Sequence, residues 1–422
     1  MKSHTKIEAK QIRAIAFYLP QFHPIPENDE WWGKGFTEWS NVTKARPQFP
    51  SHYQPHLPAD LGFYDLRLPE VREAQAELAR EYGIHGFCYY HYWFNGRRIL
   101  ERPFSEVLES GKPDFPFCLC WANENWTRIW DGGEKNVLLE QKYSLEDDLA
   151  HIESLIPAFR DERYIRVNGK PLFLVYRTAL LPSPLKTTQL WREAARKAGI
   201  GDLFLVRVES HGDCTDPNEV GFDASVDFAP FNGLPSPLLR GLWSTLSTKL
   251  GVLPKAFSNH RIVEYQSVAT NLMNRPVPAF KRFHCVTPGW DNTPRRNQDG
   301  HILLEATPAR YERWLRTIVK KTRGQFSGDE KIVFINAWNE WAEGNHLEPD
   351  LRWGRAFLEA TLRSVSVSTA GKTSPTITEQ IPVKRSQIRH AYWRLLERFH
   401  ASRVRVRRFL KYLRLPWPAS DK

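Results

Sequence analysis

At 422 residues the chain has room for one large barrel-type domain with an appendage, or for two medium domains. Its formal charge of +11 does not mark a nucleic-acid-binding body, because residues 384–414 hold eleven Lys or Arg against the single acid Glu397 and the rest is close to neutral. The five cysteines (Cys88, Cys118, Cys120, Cys214, Cys285) lack metal or disulfide spacing, which fits a reducing compartment, and no run of 18 apolar residues exists to span a bilayer.

Residues 1–11 read as an N-terminal extension without the apolar stretch of a secretory signal, so a cytoplasmic location is expected. Short apolar runs then alternate with helix-like stretches. Eight runs are predicted strands: 13–19, 86–92, 115–122, 171–176, 203–208, 224–228, 283–287 and 332–338. The clearest helix is 68–80, with Pro69 at its start, apolar residues at 71, 74, 78 and 79, and Gly83 beyond its end. Further helices are predicted at 145–159, 188–198, 308–322 and 354–365. Eight strands alternating with helices predict a parallel (β/α)8 barrel, the TIM fold, over residues 12–363. An insertion at 229–282 with a helix at 263–273 separates the sixth strand from the seventh, as a lid or a passive extension. Residues 364–383 have linker composition. In the tail, 384–422, apolar positions 406, 409, 410 and 413 share one helical face and Arg407, Lys411 and Arg414 another, so an amphipathic basic helix is expected.

The predicted strand ends carry the chemistry. After 332–335 comes Trp338-Asn339-Glu340-Trp341-Ala342-Glu343, and ligands of parallel α/β folds bind where the strands end. Breaking a glycosidic bond needs one protonated and one ionised carboxyl group, and Glu340 and Glu343 are the catalytic candidates, with Glu348 in reserve. Three residues apart in a helical turn, their Cβ atoms would stand about 5–6 Å from one another. Tyr18, Gln21 and His23 follow the first strand; His91, Tyr92 and Trp93 lie at the end of the second; Trp121, Asn123, Asn125 and Trp126 follow the third; Trp290 and Asp291 follow the seventh. Aromatic rings beside amides and acids suit sugars, whose C–H faces stack while their hydroxyls hydrogen-bond. Each also has a plain structural reading as packing. No Gly-rich phosphate loop, Gly-x-Ser-x-Gly elbow or His-Glu-x-x-His helix is present, and Pro55 spoils a helical His52/His56 pair, so no cofactor and no metal are expected.

The runs 16–23, Gly35-Phe36-Thr37-Glu38-Trp39, His91-Tyr92-Trp93-Phe94, 121–126 and 336–349 make residues 12–360 resemble the WbsX-type glycosyltransferase-like proteins of bacterial surface-polysaccharide clusters. That group is similar to glycoside hydrolase family 99, the endo-α-mannosidases. The resemblance implies a (β/α)8 barrel and retention of configuration. Glu343 would be the general acid/base, and Glu340 would take the proton of the sugar 2-hydroxyl so that the sugar is its own nucleophile. It also implies that Glu38, Trp39, Trp338, Asn339 and Trp341 join the substrate-binding set. The expected partner is an oligosaccharide or lipid-linked glycan, with residues 384–415 lying on an anionic inner membrane leaflet and no nucleic acid. A transferase using an activated sugar donor and a catalytically silent sugar-binding barrel are the alternatives.

Overall fold

The computed structural model describes residues 12–128, 133–237, 248 and 254–366. The linker from 367 onward, the basic tail and residues 1–11 lie outside the described residues, and so does the expected tail helix.

Eight parallel strands close into a barrel: β1 Arg13–Tyr18, β2 Gly86–Phe94, β3 Phe117–Trp121, β4 Lys170–Val175, β5 Phe204–Glu209, β6 Ala224–Asp227, β7 Arg282–Val286 and β8 Ile332–Ile335. Each pairs with the next in sequence, and β8 returns to β1 with Arg13 opposite Ile332 and Ala16 opposite Ile335. Their burial is nearly continuous, as expected of strands covered on both faces. Across the bore Phe17 meets Tyr90, Phe334 and Phe228 at ring separations of 5.6, 5.6 and 5.3 Å, so side chains fill the barrel below its upper rim.

The predicted helices form close to their expected limits, at Pro69–Glu81, Leu145–Arg160, Pro184–Lys197, Pro308–Gln325 and Ala356–Val365. Proline in the first turn and a side-chain cap explain where several begin: Ser144 accepts from the Asp147 amide, and Thr307 from the Arg310 amide. The β5–β6 connection holds only the 3-10 turn Pro217–Val220. In the insertion, Arg261–Glu264 is a strand paired in parallel with His301–Leu304, so the helix expected from 263 begins at Tyr265 and runs to Met273. Among the described residues, helices without a counterpart in the sequence reading include Pro26–Trp32, Glu38–Lys44, Arg102–Ser110 and the short Ala256–Asn259. Among the described residues no helix is long and apolar enough to cross a membrane, and all five cysteines are free thiols, Cys214 alone exposed.

Candidate active site

Beyond β8 the chain turns sharply back on itself. Asn339–Glu340 pairs antiparallel with Asn345–His346 around the 3-10 turn Trp341–Glu343, and Gly344 closes the turn at φ +56°. A Cβ at 344 would also press on Asp291, 3.0 Å from its Cβ, so backbone angle and close approach both favour glycine. Asn339 fixes this hairpin to the loop after β1: its Oδ1 accepts from the Leu19 amide at 2.7 Å, and its Nδ2 donates to the Leu19 carbonyl at 3.0 Å.

One guanidinium receives both Glu340 and Glu343. Arg295 donates from Nη2 to Glu340 at 2.8 Å, pairs through Nη1 with Glu343 at 2.7 Å, and donates from Nε to Glu38 at 2.7 Å. Glu38 is fully buried, and Glu340 is 6% exposed. Three carboxylates around one cation leave an excess of negative charge, so protons are drawn in. Burial, opposed by Arg295 and reinforced by Glu343 and Glu38, pushes Glu340 up to about 8. Burial also raises Glu343, again against the pull of Arg295. Both carboxyls are therefore pushed above the ordinary carboxylate range.

Glu340 and Arg295 border a cavity of about 730 Å³ at the upper rim of the barrel. Gln21, Tyr92, Asn125 and Trp126 line it as the strand-end reading expected. The Trp126 ring stands edge-on to Tyr92, with centroids 5.3 Å apart, and Tyr92 is raised by burial and by the nearby Glu340. Trp32, Gln141, Tyr143, Arg177, His211, Arg295 and Arg296 also line it, outside the set expected from the strand ends. Arg177 pairs with Glu124 at 2.5 Å on that wall.

The remaining expected site residues do not line the cavity, and their partners show why. Tyr18 is buried and donates to Gln75, and His23 is buried with burial lowering it to about 4. Trp39 donates to the Tyr64 carbonyl and packs between Phe22 and Trp341. His91 is enclosed with His151, their Nε2 atoms 3.0 Å apart, and the Trp93 indole donates to Asp147. Trp121, Trp290 and Trp338 are core rings. Asn123 spans the loops after β3 and β4 through the Arg177 amide and carbonyl. Asp291 is spent on His52 at 2.6 Å, Gln54 and Thr293. The Trp39 and Trp93 indoles, set among polar neighbours in the sequence, are thus buried with their N–H paired. Glu38 and Asn339 act through others: one balances Arg295, the other pins the hairpin.

Glu348, the reserve candidate, lies beneath the site. It accepts from the Tyr64 hydroxyl at 2.8 Å, Gln75 at 2.6 Å and the Trp341 indole at 2.6 Å, and burial raises it to about 7. Glu348→Ala strands three buried donors and should cost about 3–5 kcal/mol in urea unfolding, whereas Glu348→Gln, which keeps an acceptor, should lose less than half of that. Equal losses in the two variants would rule out this bonding role.

Fold and site together define a (β/α)8 barrel carrying a buried acidic pair above an aromatic-walled cavity. Residues 14–361 match the family model described as Glycosyltransferase WbsX, and the chain belongs to that family of carbohydrate-active enzymes. It is 46% identical over 352 residues to the uncharacterized protein WxcX of Xanthomonas campestris pv. campestris, a match covering 83% of this chain and 49% of the relative. The chain thus spans about half the length of the curated relatives it matches. Among solved structures, a glycoside hydrolase-like protein aligns with TM-score 0.51 at 14% identity over 87% of this chain and 98% of its own. That likeness is one of fold. The GH99 endo-alpha-mannosidase from Bacteroides thetaiotaomicron aligns with TM-score 0.48 at 15% identity, covering 84% and 96%.

Proposed function

We propose that this protein breaks or transfers glycosidic bonds with retention of configuration during assembly of a bacterial surface polysaccharide such as an O-antigen or capsule. The observation that carries the reading is the meeting of Glu340 and Glu343 on one guanidinium at the edge of the 730 Å³ cavity. Protonated Glu343 gives its proton to the leaving glycosidic oxygen while ionised Glu340 removes the proton of the sugar 2-hydroxyl, whose oxygen closes on the anomeric carbon. In the second half, water or an acceptor hydroxyl opens that ring at the anomeric carbon. Glu343 takes the incoming proton and Glu340 returns one to the 2-oxygen, so both carboxyls end as they began. Two inversions give net retention. A raised pKa makes each carboxyl a stronger base when ionised and a persistent acid when protonated, which suits this exchange of roles.

A second reading, transfer from an activated sugar donor, is favoured by Arg177 and Arg296 on the same cavity wall, because guanidinium groups complement a departing diphosphate. Oligosaccharides in one arm, and nucleotide sugars with a lipid-linked acceptor in the other, distinguish the two. Wild type should form product in one arm and Glu343→Gln in neither, with sugar binding intact in both proteins. Sugar binding with no product in either arm would make the protein a sugar-binding barrel. Product formation unchanged in the variant would remove Glu343 from the mechanism.

The basic tail supplies the location in this proposal. Residues 384–415 would lie on an anionic cytoplasmic leaflet through an apolar face flanked by Lys and Arg. Deleting 384–422 should release the protein from vesicles containing phosphatidylserine at low salt; unchanged sedimentation would end that role.

A further inference from the structure

Behind the carboxylate hairpin two other segments are stitched edge to edge. The Ala59 amide donates to the Pro349 carbonyl and the Leu351 amide to the Leu57 carbonyl, both at 2.9 Å, and Pro58 bridges Asp350. This frame brings His56 from one segment against Asp350 from the other and against His346 at the end of the hairpin. The His56 Nδ1 lies 2.9 Å from the His346 Nε2, which is 3.9 Å from the Asp350 Oδ2, and one ligand-type atom of each residue lies within 4.8 Å of the other two.

The shell around the three sets their donor atoms. The His346 Nδ1 is 2.8 Å from the Glu348 carbonyl, which only accepts, so Nδ1 carries the hydrogen and Nε2 turns a lone pair inward. Asp350 uses Oδ1 for the amides of Arg352 and Trp353, leaving Oδ2 toward the histidines. His346 is held face to face on the Trp341 ring at 3.8 Å, and His56 on Tyr53 at 4.2 Å. Arg352 opposes a cation here and Asp291 favours one.

We propose that His56, His346 and Asp350 form a site for a divalent cation of the zinc class, clamping the 53–58 loop to the hairpin that carries Glu340 and Glu343. Two imidazoles and a carboxylate are a donor set for zinc, with water completing a tetrahedron. Nitrogens each about 2.0–2.1 Å from one tetrahedral ion stand roughly 3.3 Å apart, so the two rings need to part by only a few tenths of an ångström. The ion would order the hairpin from behind and take no part in proton transfer. The inference is independent of the reaction proposed above and is read without an activity assay.

The test uses the full chain, freed of any affinity tag, stripped with EDTA, exposed to zinc chloride and desalted, with metal per chain measured by mass spectrometry. Wild type should retain about one equivalent and melt several degrees higher than the stripped protein, and His346→Gln and Asp350→Asn should retain almost none. Asp350→Asn keeps the Oδ1 acceptor that orders the backbone, so it tests the site even where His346→Gln fails to fold, and circular dichroism verifies the fold of each. No zinc retained by wild type would reduce the cluster to a hydrogen-bonded histidine pair and overturn the proposal. Equal retention in folded Asp350→Asn would place the ion elsewhere and overturn it as well.

Discussion

Replacing Arg295 with methionine should destabilise the protein by about 3–5 kcal/mol at pH 9 and by less at pH 6, measured as urea unfolding at the two pH values. Arg295 is the cation shared by Glu38, Glu340 and Glu343, all within 2.8 Å of it. Methionine of similar length fills the space and leaves the acids without their counter-charge. The pH dependence has a definite sign. A carboxyl raised in the folded state, as Glu340 is to about 8 from 4.5, binds its proton more tightly folded than unfolded. Its favourable contribution is complete below the unfolded pKa and is lost as pH climbs through the folded one. Removing Arg295 lifts Glu340 further, so wild type stops losing stability on this account above about pH 8 while the variant goes on losing it, and the variant's deficit widens from there. A deficit that is flat from pH 6 to pH 9 would show that the guanidinium does not neutralise these groups.

Glu343→Gln should lower turnover of a natural glycoside about 10³-fold, the usual range for loss of a general acid, while turnover of a substrate with a good aryl leaving group falls only about tenfold. A leaving group that departs without a proton does not need the acid. The difference, about 3 kcal/mol in barrier height, separates proton donation from a loss of shape. Equal losses on both substrates would make Glu343 a structural group. Glu340→Gln should slow both substrates alike, because the 2-hydroxyl must be activated whatever departs.

Much of the barrel is legible because its strands are short, apolar and buried on both faces, and the helix starts announce themselves with proline, serine or threonine. The carboxylate pair is legible for the same reason: polar residues after a run such as Ile332–Ile335 stand at the strand's end. Arg295 is not, since an arginine pair in an irregular loop resembles any solvated turn, and only the closed barrel shows that the loop folds over Glu340. Burial of the tryptophans misleads in the opposite direction. Trp39, Trp93 and Trp341 sit among polar neighbours in the chain, yet each spends its indole N–H on a buried acceptor. The same blindness to pairing hides His56 and His346, 290 residues apart in the chain.

The clasp between Asn339 and Leu19 joins residues 320 positions apart, one beyond the first strand and the other beyond the last. During synthesis the rings and amides that would greet a sugar emerge early, while both acids arrive only with the final strand. On the proposed mechanism a partly made polypeptide would have no working centre, and reactivity would appear in the same event that shuts the cylinder.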